Sequence, residues 1–323
     1  MDGRIAPGRD EETMSKPKLL MIIAAKWKGL TEQPLDNADV VVEGRDRYAP
    51  EEIDYVMSFT PPPGKLATLP NLKAAFCLGA GVDGFLADPD YPKHVPLVRF
   101  VDRTLSAEMA QYLLMHVLIH HRRQRYFDAA QKTGAWRQET LERRTEDTRI
   151  GFLGMGEIGS FAAKRMIDLG FQVSGWSRTP KSLKGLKSFA GDDQLDAFLG
   201  QTDILICLLS LTRKTRGILN AKTFAALPKG ALVINVARGA HLVERDLVAA
   251  LDSGQLSGAV LDVFNEEPLP AASPLWHHDK VTITPHISAV SQPAVVMRYI
   301  RDGIAAFERG ETPDNLVAVA TAY

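Results

Sequence analysis

Three polar residues in the C-terminal half of the chain stand just beyond apolar runs. Arg238 follows ALVINVA, Glu267 lies in DVFNEEP beyond AVLDV, and His286 follows TITP. A guanidinium can hold a carboxylate through paired hydrogen bonds and polarise the neighbouring carbonyl. An imidazole can give a proton to a forming alkoxide or take one from a hydroxyl. A carboxylate beside that imidazole can orient it and favour its protonated form. Together the three suit hydride transfer between a 2-oxo acid and a 2-hydroxy acid, given a hydride carrier alongside. Singly, each has an ordinary reading as a surface charge, a solvated acid or a loop histidine. Their shared position at the carboxyl ends of three expected strands favours the chemistry, since ligands of open α/β sheets bind at that edge.

The carrier's place is marked by RIGFLGMGEIGS, residues 149–160. Ile150 to Leu153 reads as a buried strand. Gly154, Gly156 and Gly159 follow at G-x-G-x-x-G spacing, then a helical pattern from Ile158 to Leu169 closed by Gly170, then a second strand, Phe171 to Trp176. That order is a dinucleotide-binding βαβ unit. Gly154 allows the tight turn, Gly156 close approach of a pyrophosphate, and Gly159 close packing of the helix, whose N-terminus faces the phosphates. Met155, Glu157 and Ile158 complete the phosphate turn. The second strand ends in Trp176-Ser177-Arg178-Thr179-Pro180-Lys181. An enzyme using NAD places an acid there for the ribose 2′-hydroxyl. Two cations and two hydroxyls suit a 2′-phosphate instead, so NADP(H) is expected in preference to NAD(H). The ordinary alternative is a solvated basic loop. Leu209, Ser210 and Thr212 follow another strand of the unit. Val236, Ala237, Arg238, Asp262, His286 and Ser288, at the later strand ends, are assigned to the cofactor cleft, with Asp262 having a structural role as its alternative.

The elements that must position these residues are legible as apolar runs. Expected strands are 18–25, 38–43, 55–60, 72–78 and 95–100, then 150–153, 171–176, 204–209, 231–237, 259–263 and 281–284. Helical spacing predicts a long helix over 105–124, further helices over 158–169 and 242–251, and a last one over 292–309. Residues 122–149 are highly charged and read as an arm across a surface. Strands alternating with helical patterns make the chain α/β.

At 323 residues there is room for about two domains. The balance of 38 basic and 39 acidic residues, a formal net charge of -1, argues against a nucleic-acid or membrane partner held by charge. Cys77 and Cys207 sit in apolar runs and read as buried thiols of a reducing compartment. No apolar run has bilayer-spanning length, and the charged N-terminus lacks a secretory core, so a cytoplasmic location is expected. Residues 1–16 read as a flexible tail. His116, His120 and His121 on the long helix lack accompanying acids or cysteines, and no metal site is expected.

With LGAGVDGF, GFLGMGEIGS, GWSRTPKS, INVARGAHLVERDLVAALDSGQLSGAVLDVFNEEPLP, SPLWHH and TPHISAVS in view, the chain resembles the D-2-hydroxyacid dehydrogenase family, and within it the glyoxylate/hydroxypyruvate reductase A group. The resemblance runs from about Pro17 onward. It implies two Rossmann-like α/β domains with parallel sheets: a discontinuous substrate domain, 17–103 and 288–323, and an inserted NAD(P)-binding domain, 104–287. It implies that Arg238, Glu267 and His286 are the catalytic triad and that Leu209, Ser210 and Thr212 line the cofactor cleft. It also implies that Gly79, Ala80, Gly81 and Val82 receive the substrate carboxylate on backbone N–H groups, that Trp276 reaches the substrate, and that the Met109-Gln111-Tyr112 face approaches it. A homodimer through the long helix and charged arm is implied as well. The expected activity is NADPH-dependent reduction of glyoxylate or hydroxypyruvate. The alternatives are a phosphoglycerate-like or longer-chain 2-hydroxyacid dehydrogenase, or an NAD(H)-sensing corepressor-like binding protein.

Overall fold

The computed structural model describes residues 15–139 and 143–319; most of the expected tail lies outside them. The chain divides into two compact units, one running as far as Phe100 and resuming at Gln292, the other Val101–Ser291.

The first unit begins with strands β1 (Lys18–Ile22), β2 (Asp39–Val42), β3 (Tyr55–Ser58), β4 (Ala74–Cys77) and β5 (Leu97–Arg99), with the short helix α1 (Asp83–Leu86) after β4. The sheet order β2-β1-β3-β4-β5 is parallel throughout and reverses direction at β1. Leu20, Val56, Ala75 and Leu97 bury one face.

The second unit opens with the long helix α2 (Arg103–His121), capped by the Asp102 carboxylate accepting from Leu105 N. A second helix, α3 (Gln124–Lys132), follows inside the charged segment. Then come β6 (Arg149–Leu153), α4 (Glu157–Asp168), β7 (Gln172–Ser177), β8 (Leu186–Ala190), α5 (Leu195–Leu199) and β9 (Ile204–Cys207). The unit finishes with α6 (Ala221–Ala226), β10 (Ala231–Asn235), α7 (Glu244–Asp252), β11 (Leu256–Leu261) and β12 (Val281–Ile283). Its seven strands are all parallel in the order β8-β7-β6-β9-β10-β11-β12. Both faces are covered, as an all-parallel sheet requires. Alternate residues feed opposite faces. Ile150, Phe152, Ile204, Ile206 and Ile234 meet α2 and α4, while Leu153, Leu205, Cys207 and Val233 meet α5, α6 and α7.

The chain then re-enters the first unit through α8 (Pro293–Glu308) and β13 (Leu316–Val317), which pairs antiparallel with β5. Close packing of α8 depends on Gly303, where a Cβ would lie 2.6 Å from the Phe76 ring.

Expected strands appear within a few residues of their places. Six of these elements have no place among those expected: the helices α1, α3, α5 and α6, the edge strand β8 and the antiparallel β13. The unit boundaries fall at 100/101 and 291/292, a few residues outside those expected, for local reasons. The Asp102 cap belongs to α2. At the other end, Ser288 N and Val290 N donate to the carboxylates of Asp262 and Glu108, both in the second unit. Both cysteines are buried free thiols. No described helix is long and apolar enough to cross a membrane.

Candidate active site

The sheet of the second unit reverses its strand order between β6 and β9, where such folds bind nucleotides. The glycine turn sits there. Gly154 holds φ at 103°, a backbone that side chains with a Cβ rarely adopt. A Cβ on Gly159 would fall 2.2 Å from Gly154 O, so only glycine lets α4 start this close to the turn. Gly156 differs: a Cβ there would meet no protein atom within 4 Å. The N–H groups of Gly156, Glu157 and Ile158 have no acceptor among the described residues. The mouth of α4 therefore presents unpaired donors and a positive dipole end to open space.

At the end of β7, Ser177 Oγ donates to Thr179 O at 2.8 Å. Arg178, Thr179 and Lys181 are exposed, and the charged ends of Arg178 and Lys181 pair with nothing among the described residues. After β9, Thr215 gathers the Leu209–Thr212 loop: its hydroxyl donates to Ser210 O at 2.7 Å and accepts from Thr212 N at 2.8 Å. Met155 and Trp176, both expected at the cofactor, turn their side chains into the core. Met155 fills the space over Gly175, and Trp176 Nε1 donates to Gly191 O at 2.7 Å.

The three candidate catalytic residues lie beyond β10, β11 and β12. His286 Nδ1 is 2.8 Å from Glu267 Oε2, and Glu267 Oε1 accepts from Phe264 N at 3.0 Å. Burial pushes the Glu267 carboxyl up. Its bonds from His286 and Phe264 N–H, with the charges of His286 and Arg238, outweigh that and hold it below the usual carboxylate value. With Nδ1 held by the carboxylate, Nε2 has no partner among the described residues. His286 has φ of 55°, in the left-handed region. Arg238 Nη1 donates to Ala237 O at 2.8 Å. Its turn is supported from beneath by two buried residues that sequence reasoning passed over. Asn235 Nδ2 donates to Arg238 O at 3.1 Å, and its Oδ1 accepts from Ala237 N at 3.2 Å. His241 places Nδ1 3.2 Å from Arg238 N and Nε2 3.4 Å from Ser210 O, joining this turn to the β9 loop. Gly239 brings the Arg238 turn onto the Glu267 segment, since a Cβ would lie 1.9 Å from the Phe264 carbonyl carbon.

The other expected site residues are distributed as follows. Val236, Ala237, Asp262 and Ser288 are buried. Trp276, about half exposed, spends its indole N–H on Pro270 O at 3.0 Å. Met109 and Tyr112 are buried in the core of the second unit, while Gln111 is exposed. In the first unit, Leu78 N makes the last bond of its strand, to Ser58 O. The N–H groups of Gly79, Ala80, Gly81 and Val82 then find no acceptor among the described residues. Four successive amides are thus left as donors available to a ligand.

Residues 114–288 match the model of the D-isomer specific 2-hydroxyacid dehydrogenase NAD-binding domain. The chain belongs to the D-isomer specific 2-hydroxyacid dehydrogenase family. It is accordingly an NAD(P)-dependent oxidoreductase. Glyoxylate/hydroxypyruvate reductase A of Yersinia enterocolitica is 42% identical over 306 residues, covering 93% of this chain and 96% of that one. Among solved structures, a family member from Xanthobacter autotrophicus in complex with NADPH and MES superposes with a TM-score of 0.88 at 39% identity, covering 96% of this chain and all of that one. The NADPH-dependent glyoxylate/hydroxypyruvate reductase of Sinorhizobium meliloti, in complex with NADP and sulfate, has a TM-score of 0.88 at 36% identity, covering 95% of this chain and all of that one. The two-sheet α/β architecture is thus that of the family.

Proposed function

We propose that this dehydrogenase reduces a small 2-oxo acid, glyoxylate or hydroxypyruvate, using NADPH, with His286 as proton donor and Arg238 as anchor of the substrate carboxylate and carbonyl. The observation that carries the reading is the 2.8 Å contact between His286 and Glu267 on a sheet edge shared with Arg238 and the open glycine turn. The unpaired N–H groups of Gly156, Glu157 and Ile158 would take the pyrophosphate. Arg178 and Lys181, exposed and unpartnered among the described residues, fit a 2′-phosphate, with Ser177 and Thr179 beside them. When bound, the reduced nicotinamide would supply a hydride to the carbonyl carbon. Arg238 withdraws charge from the carbonyl oxygen, and His286 Nε2–H delivers a proton to that oxygen as it becomes an alkoxide. Glu267 keeps the imidazole oriented through Nδ1 and stabilises its positive charge before transfer. The loop Gly79–Val82 is assigned to the substrate carboxylate on the same reading. The glyoxylate/hydroxypyruvate reductases among the relatives support the substrate class.

The test is loss of reduced-nicotinamide absorbance with glyoxylate, hydroxypyruvate and pyruvate, with NADPH and NADH in parallel. Turnover should favour NADPH. His286→Ala should lower kcat by at least about 10²-fold, the scale of a lost general acid. Arg178→Ala should raise KM for NADPH about tenfold or more and leave NADH use unchanged, as loss of a charge-assisted phosphate contact predicts. Preference for NADH in the wild type would refute the phosphate pocket. Full activity of His286→Ala would refute the proton donor.

A further inference from the structure

The residue on which that reading rests, His286, is held in place by a buried acid that makes no ion pair. Asp262 is fully buried at the end of β11, and no cation reaches its carboxylate among the described residues. Oδ1 accepts from Thr284 Oγ1 at 2.6 Å and from Ile287 N at 2.9 Å, and Oδ2 accepts from Ser288 N at 2.9 Å. The carbonyl oxygen of Asp262 accepts from His286 N at 2.8 Å. The carboxylate thus grips the chain on both sides of His286, whose backbone sits in the left-handed region. A buried charge without a counter-ion depends on its full set of donors.

One of those donors is itself held. Thr284 Oγ1 lies 2.6 Å from the hydroxyl of Tyr112, which α2 carries into the core. A threonine hydroxyl has one proton, and here the carboxylate takes it, so Tyr112 must donate to Thr284. The order is Tyr112 O–H to Thr284 O–H to Asp262 carboxylate, each bond strengthening the next. The Tyr112 ring is fixed in turn against His116, with centroids 4.5 Å apart.

We propose that Tyr112 and Thr284 form a hydroxyl relay onto Asp262 that holds His286 in its working conformation, which makes both of them positioning residues for the proton donor. Neither need touch substrate or cofactor. Tyr112 acts only through Thr284, so its effect must vanish when the threonine hydroxyl is gone. The relay also ties the histidine segment to α2, which a motif centred on the histidine does not reveal.

The experiment is a set of variants read by kinetics and by amide hydrogen exchange. Tyr112→Phe keeps the ring and removes the donor. It should lower kcat roughly three- to tenfold, the worth of one buried hydrogen bond, with KM for NADPH and for the 2-oxo acid unchanged within about twofold. Thr284→Val should lower kcat at least as much, and Thr284→Ser should restore it. The double variant Tyr112→Phe/Thr284→Val should be no slower than Thr284→Val alone. In Tyr112→Phe the amides of Ile287 and Ser288 should exchange roughly three- to tenfold faster, by the same loss, while those of β6 stay as in the wild type. Wild-type kcat with wild-type protection in Tyr112→Phe overturns the relay, as do additive losses in the double variant. A fall in thermal stability with kcat and local exchange unchanged overturns it too. If the wild type turned over no 2-oxo acid but Ile287 and Ser288 still lost protection in Tyr112→Phe, the relay would stand and the role of His286 would fall.

Discussion

Gly239→Ala is the sharpest test of how the proposed catalytic residues are assembled. Added at this position, a Cβ would lie 1.9 Å from the carbonyl carbon of Phe264, 2.1 Å from its oxygen and 2.3 Å from Asn265 N. All three are backbone atoms, so no side chain can swing aside. Reaching ordinary contact at 3.4 Å requires the two segments to part by about 1.5 Å, the difference between 3.4 and 1.9. Phe264 N is also the donor to Glu267 Oε1, at 3.0 Å. Moving Phe264 therefore drags the carboxylate that orients His286, while Arg238 moves the other way. A misplacement of about 1 Å at reacting groups costs about 10²-fold in rate, or about 2.7 kcal/mol of transition-state stabilisation. Overpacking of this kind costs about 1–3 kcal/mol in stability. The expected outcome is a kcat at least about 100-fold down, with a folded protein of lower thermal midpoint. The assays are steady-state oxidation of reduced cofactor and thermal unfolding followed by circular dichroism. Gly156→Ala is the companion variant. No protein atom lies within 4 Å of its new Cβ, so its unfolding midpoint should match the wild type while its affinity for the cofactor falls. A Gly239→Ala enzyme with wild-type kcat and midpoint would show that the Arg238 turn and the Glu267 segment are not coupled as described.

Two further outcomes are expected. Asp203 ties the start of β6 to the start of β9, accepting from Arg149 at 2.7 Å and 2.9 Å and pairing with Arg143 at 2.6 Å. Burial raises its carboxyl, but these arginines and the Arg149 N–H outweigh that and hold it below the ordinary value. The stability it contributes is therefore complete above the unfolded carboxylate pKa and is lost as pH falls through the lower folded one. Asp203→Asn should cost about 3 kcal/mol at neutral pH, and its deficit against the wild type should shrink below about pH 4; a deficit constant with pH in thermal melts would refute this. The second concerns assembly: Trp136 is 94% exposed in the charged segment after α3, and a buried indole in a homodimer is the proposed reason. Light scattering should give about twice the 35.5 kDa chain mass, and Trp136→Ala should shift the equilibrium towards monomer. A monomeric wild type would refute it.

Much of this protein is determined by its sequence. The central parallel strands, β3, β4, β6, β9, β10 and β11, are largely buried on both faces, so they read as apolar runs, and their places need no tertiary information. The glycine turn is legible because three glycines at fixed spacing answer local demands: a left-handed backbone at Gly154, an open mouth at Gly156 and contact with the turn at Gly159. Arg238, Glu267 and His286 stood out because each lies within a few residues of the end of such a run. Only the tertiary structure could decide the rest. The edge strand β8 has its apolar Leu186 and Phe189 three residues apart, and its pairing with β7 makes it a strand. Helix α3 has little apolar surface and an uncapped start at Arg123, so nothing local announced it. Met155 and Trp176 looked like cofactor contacts by position, yet the space over Gly175 and the carbonyl of Gly191 took their side chains inward. Asn235, His241 and the Tyr112–Thr284–Asp262 relay are joined across 3 to 172 residues of chain. A hydrogen bond depends on distance in space, and sequence separation carries no record of it. Gly239 is the clearest instance: it reads as an ordinary turn glycine until the backbone of Phe264, 25 residues on, is found where its side chain would be.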